Sequence, residues 1–117
     1  MPRTADIMSP APMPSLAPPA QEMRPTDPDR TACFALLAEP DPASLPRLLE
    51  PFAKRGLVPS AVQCRLLEET EELSVDLQVR GMTREESDYV ARTLRALPLV
   101  RQVLTSERRT APLQAAA

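Results

Sequence analysis

Residues Cys33 to Gly56 read CFALLAEPDPASLPRLLEPFAKRG. An apolar run comes first, then the acidic, Pro-rich stretch Glu39-Pro40-Asp41-Pro42, then an amphipathic segment closed by Gly56. Thr31 to Ala38 alternates as a strand does: Ala32, Phe34 and Leu36 fall on one face, Cys33, Ala35 and Leu37 on the other. From Ser44 onward the period changes. Leu45, Leu48, Leu49, Phe52 and Ala53 recur at helical spacing and make one apolar stripe. Lys54 and Arg55 sit in the last turn, where the helix dipole favours cations, and Gly56 suits the position after the last helical residue. Two registers compete for the helix start. Asp41 could cap with Pro42 as the first helical residue, or Ser44 could cap with Leu45 first. Pro46 favours Ser44, because the other register buries a proline one turn inside. Pro51 lacks a backbone donor in either register, so a local kink is expected there.

Working outward, Leu57 to Leu66 reads as a second strand, with Val58, Ser60, Val62, Cys64 and Leu66 on one face. Pro59 cannot donate to a ladder, so this strand belongs at a sheet edge or begins just after Pro59. Glu68-Glu69-Thr70-Glu71-Glu72 is a solvated turn; it lacks the ligand spacing and glycine of a calcium loop. Leu73 to Arg80 alternates fully, with Leu73, Val75, Leu77 and Val79 inward and Ser74, Asp76, Gln78 and Arg80 outward. The pattern predicts one sheet face under helices and a polar opposite face. Thr83-Arg84-Glu85-Glu86 is a capping box opening a second helix to about Leu97, with Tyr89, Val90, Thr93, Leu94 and Leu97 inward. Leu99 to Ser106 supplies a last strand. The order β-α-β-β-α-β belongs to the α+β, ferredoxin-like sandwich: a four-stranded antiparallel sheet with two helices on one face.

The 117 residues suffice for one domain. Residues 1–30 hold eight of the fifteen prolines and no aromatic residue, so they are expected as a disordered tail. That leaves 31–106 as the domain and 107–117 as a loose C-terminal tail. A unit of this size gains from a partner surface.

Several functions are disfavoured by missing chemistry. Net charge is −2, with no basic footprint for nucleic acid. Strand Leu73–Arg80 presents no aromatic platform for RNA bases. No apolar run approaches ~20 residues, so no membrane span is expected, and the N-terminus lacks the apolar core of a secretory signal. The chain has no histidine, which removes the commonest general base and metal ligand. Neither Cys33 nor Cys64 has a base beside it in sequence; both read as buried free thiols of a cytoplasmic protein. No catalytic residue, metal site or cofactor is assigned.

The stretch Leu45-Pro46-Arg47-Leu48-Leu49, Phe52, Arg55, Gly56, following an apolar strand and an acidic turn, resembles the ACT domain, a small amino-acid-sensing module of biosynthetic enzymes. Within that group it is most like the small regulatory subunits of acetolactate synthase, especially the short one-domain type. The resemblance implies a non-catalytic regulatory protein of branched-chain amino-acid biosynthesis. Its partner would be the large catalytic subunit, whose thiamine diphosphate, magnesium and flavin would belong to that partner. It also implies a homodimer joined edge to edge through strand 57–66. An amino-acid effector would lie at Asp41, Pro42, Ala43, Ser44 and Leu45, against the neighbour's second strand. One departure bears on that site: Ala43 stands where the family usually has a glycine, and its Cβ obstructs close approach to the backbone. The alternative is a stand-alone ACT-like sensor without a catalytic partner.

Overall fold

The computed structural model describes residues 24–110. Four strands and two helices alternate in the expected order: β1 (Asp27–Ala38), α1 (Ser44–Lys54), β2 (Ala61–Leu67), β3 (Glu72–Gly81), α2 (Arg84–Arg95) and β4 (Val100–Arg109). All neighbouring strands are antiparallel, and the sheet order is β2-β3-β1-β4. Because β1 and β4 run antiparallel, Arg30 lies opposite Arg109, and Thr110 N–H donates to Asp29 O at 2.8 Å. The chain therefore enters β1 and leaves β4 at the same end of the sheet.

The core follows the alternation. Ala32, Phe34, Leu36 and Ala38 of β1 are buried beside Val75, Leu77 and Val79 of β3 and Val103 of β4. The stripe of α1 inserts Leu48 and Phe52, and α2 inserts Val90, Ala91 and Leu94. Phe34 and Phe52 meet edge to face, ring centroids 5.2 Å apart, an arrangement that adds to their area burial. Gly56 has φ 72°, as its helix-ending position requires.

Several expectations need correction. β1 begins at Asp27, four residues inside the stretch assigned to the tail, and β4 runs past Ser106 to Arg109. Arg30 explains the difference. Its side chain is buried, donating Nη1 to Met82 O at 2.9 Å and Nη2 to Ser87 Oγ at 3.1 Å, with Nε paired to Glu107. One arginine thus ties β1 to α2 and β4. Asp27 pairs with Arg109 at 2.9 Å across the same end. The hydrogen bond from Arg109 holds the Asp27 carboxyl below its usual range, and that from Arg30 does the same for Glu107. The remaining expectations for the two tails concern residues 1–23 and 111–117, outside the described residues.

β2 runs Ala61–Leu67 rather than Leu57–Leu66, its start falling just after Pro59 as the proline allowed. It is an edge strand, but it is exposed on both faces: Val62 and Leu66 lie opposite Leu77 and Leu73, on the helix-bearing side, yet among the described residues no helix covers them. Both cysteines are free thiols, as expected, but neither is buried: Cys64 is exposed and Cys33 half-buried. Tyr89 is not part of the inner face of α2 and stands exposed. Glu86 also departs from the capping box. Its N–H takes Thr83 Oγ1 as acceptor at 3.1 Å, but its carboxylate goes to arginines instead of returning to Thr83. The open sheet face is polar along β3, but β1 and β4 run an apolar band through it: Cys33, Ala35 and Leu37, with Leu104 opposite Ala35. Ala35 and Leu104 are exposed.

Candidate functional site

The loop joining β1 to α1 begins where Glu39 N–H closes on Leu99 O at 2.9 Å, bringing the chain before β4 alongside. Asp41 then organises the turn. Its Oδ1 accepts Ala43 N–H at 2.8 Å and its carbonyl accepts Ser44 N–H at 2.9 Å. These two bonds settle the helix start differently from either expected register. Ala43 occupies the N-cap position with helical backbone and no side-chain cap, and Ser44 is the first helical residue. Ser44 is wholly buried, and its hydroxyl donates to Glu39 O at 2.7 Å.

An open cleft of about 380 Å³ lies over this loop, lined by Glu39, Asp41, Ala43, Arg47, Pro98 and Leu99. Of the five residues expected to hold a ligand, Asp41 and Ala43 line it. Pro42 is exposed outside the lining, Ser44 is turned inward, and Leu45 packs on the core. Glu39, Arg47, Pro98 and Leu99 also line the cleft, and none of them is among those five. Arg47 could have been found, since it stands one turn into the helix whose start was in view. Pro98 and Leu99 could not, because they arrive through the β1–β4 pairing.

The backbone of this loop offers little to an anion. The amides of Ala43 and Ser44 are both taken by Asp41, Pro46 has none, and Arg47 N–H bonds Ala43 O at 3.2 Å, which leaves Leu45 N–H as the one first-turn amide without a backbone acceptor among the described residues. With one such amide and the Ala43 Cβ in place, a ligand here would be held chiefly by side chains. The charges suit a zwitterion, since Arg47 shares the cleft with Glu39 and Asp41.

A larger cleft of about 750 Å³ opens at the other end of the sheet, where α1 ends and α2 begins. Its wall is a clamp. The Glu86 carboxylate, nearly buried, accepts Arg24 Nε at 2.9 Å and Arg55 Nε at 3.0 Å, and the Arg55 guanidinium lies 4.6 Å from the centre of the Tyr89 ring. Arg92 approaches the same ring at 5.8 Å. The cationic groups are thus engaged by a carboxylate and an aromatic face, which fastens the ends of both helices together. Among the described residues no cluster of three or more Asp, Glu or Cys could hold a metal ion, and no helix is long and apolar enough to cross a membrane.

Residues 26–111 match the model of the ACT-like domain family. The chain belongs to that family. The ACT-like assignment covers both strand extensions described above, from Asp27 to Arg109. Solved structures agree on the fold. The ACT domain of GTP pyrophosphokinase from Chlorobium tepidum superposes with a TM-score of 0.56 at 10% identity, over 65% of this chain and 96% of that one. The C-terminal domain of the MgtC protein from Mycobacterium tuberculosis gives 0.56 at 10% identity, over 74% and 96%. A homoserine dehydrogenase from Thiobacillus denitrificans gives 0.55 at 16% identity, over 70% of this chain but 18% of that one. No curated protein matches.

Proposed function

We propose that this ACT-like chain is a non-catalytic regulatory protein that works by docking on a larger enzyme, and that the enzyme is the thiamine-diphosphate-dependent catalytic subunit of acetolactate synthase. The observation that carries the docking reading is the apolar band Ala35, Leu37 and Leu104 on a sheet face that no element of the described chain covers. A face of this kind is what a partner removes from water. The choice of enzyme rests on the Leu45–Gly56 helix wording. Two copies pair edge to edge through β2, leaving the open faces of both free for the partner.

A second reading, a stand-alone sensor, is favoured by the cleft over Glu39–Leu99. Its volume lies at the lower end of small-ligand sites, about 300–1,000 Å³, and its opposed charges match the two ends of an amino acid.

Recovery of the tagged chain from its host, followed by mass spectrometry, separates the two. Stoichiometric recovery of a thiamine-diphosphate synthase, lost in Leu104→Asp, supports docking through the band. Recovery of the chain alone, with calorimetric binding of an amino acid that Arg47→Ala abolishes, would replace docking by the sensor reading.

A further inference from the structure

The β2 edge specifies more than the fact of a dimer. Resting on the edge-to-edge reading above, we infer that two copies join through β2 in one register, with Cys64 on the two-fold axis facing its counterpart. The choice of edge comes first. Among the described residues both outer strands have an unpaired side, but β4 carries Arg101, Glu107, Arg108 and Arg109. Charges of that density guard an edge against pairing. β2, reading AVQCRLL, has Arg65 as its one charged residue.

The register follows from parity. Antiparallel pairing of β2 with itself needs a two-fold axis normal to the sheet, which keeps the helices of both copies on one side. Val62, Cys64 and Leu66 point to that side, because they lie opposite Leu77, Val75 and Leu73. Paired residues in an antiparallel ladder share a face, so even-numbered residues can face only even-numbered ones. The axis must then pass through a residue. Centred on Gln63, the ladder sets Leu66 against Ser60, outside the strand, and leaves Leu67 without a strand partner. Centred on Arg65, it sets two like charges directly opposite and Val62 against Glu68. Centred on Cys64, it pairs all seven residues of the strand. Val62 then meets Leu66 of the other copy, Ala61 meets Leu67, and Gln63 meets Arg65. The exposed apolar row becomes a continuous ribbon across the junction.

This register can be read directly. Cα atoms directly opposite in an antiparallel pair are about 4.5–5.5 Å apart, inside the roughly 4.4–6.8 Å that a disulfide spans. The full chain carrying Cys33→Ser is treated with diamide. That reagent takes two electrons and two protons from a pair of thiols as the S–S bond forms. Light scattering gives the mass before oxidation, and non-reducing electrophoresis gives the links after it. The expected result is a dimer before treatment and, after it, conversion of most of the chain to a covalent dimer, abolished in Cys64→Ala. A Val62→Cys, Leu66→Cys pair in the Cys64→Ala background is expected to link as well. A monomer before treatment overturns the dimer and the register with it. A dimer that links through neither set overturns the register alone, as does a dimer in which Val62→Cys links to Cys64, the mark of an axis at Gln63.

Discussion

Arg30 concentrates the chemistry of the β1 entry. Three groups beyond β1 depend on its guanidinium: Met82 O in the β3–α2 connection, Ser87 Oγ of α2 and the Glu107 carboxylate of β4. Arg30→Met keeps the stem but leaves buried acceptors without donors, so a loss of about 2–4 kcal/mol is expected, read as a lower midpoint in urea. Acid should reach the same corner. Asp27 and Glu107 have folded-state values depressed below the ordinary 3.8 and 4.5, chiefly by hydrogen bonds from Arg109 and Arg30. A depressed carboxyl adds stability above its unfolded value and loses it as pH falls through the folded value. Stability should therefore drop from pH 4.5 downward into the region below 3.8. The combined Asp27→Asn, Glu107→Gln variant should show a shallower acid decline in the same titration. None of this was legible in the sequence. Asp27-Pro28-Asp29-Arg30 has the composition of a tail, and its order comes from groups 52 to 82 residues away.

The elements themselves were legible, because alternation and helical spacing are local properties. The inward row of β3 and the Leu48–Phe52 stripe of α1 lie where their periods put them. The misses share one cause. Val62, Cys64 and Leu66 alternate like a buried row, but burial depends on what lies above a strand, and among the described residues nothing does. Tyr89 and Glu86 were misplaced because arginines from elsewhere in the chain engage them: Arg24 and Arg55 hold the Glu86 carboxylate, and Arg55 lies over the Tyr89 ring. The cleft was half legible for the same reason: the Asp41 turn is local, whereas Leu99 arrives by strand pairing. Within α1, Pro51 remains inside the helix and cannot donate to the carbonyl one turn back. Pro51→Ala should restore that bond and raise stability by about 1 kcal/mol, measured as a higher thermal midpoint with the helical circular-dichroism signal retained. Phe52→Ala, by contrast, empties the space beside Phe34 and should cost about 3–5 kcal/mol in the same experiment.

For the whole molecule, two surfaces are expected to separate by mutation. Leu66→Lys places a charge in the β2 ribbon and should give a folded monomer by light scattering. Leu104→Asp leaves β2 untouched and should keep the proposed dimer while losing the proposed enzyme capture. If Leu66→Lys leaves the mass unchanged, pairing through β2 is excluded. The layout of the strands also has a practical reading. β1 starts and β4 finishes at one end of the sheet, while the Glu39–Leu99 cleft opens at the other, a strand of 12 residues away. At about 3.3 Å per residue that separation is nearly 40 Å. A fluorescent protein, a surface tether or a second domain joined directly before β1 or after β4 would hang from the far end. This fold can be wired into a larger polypeptide from both sides, like a plug gripped at its base, with the cleft still facing open water.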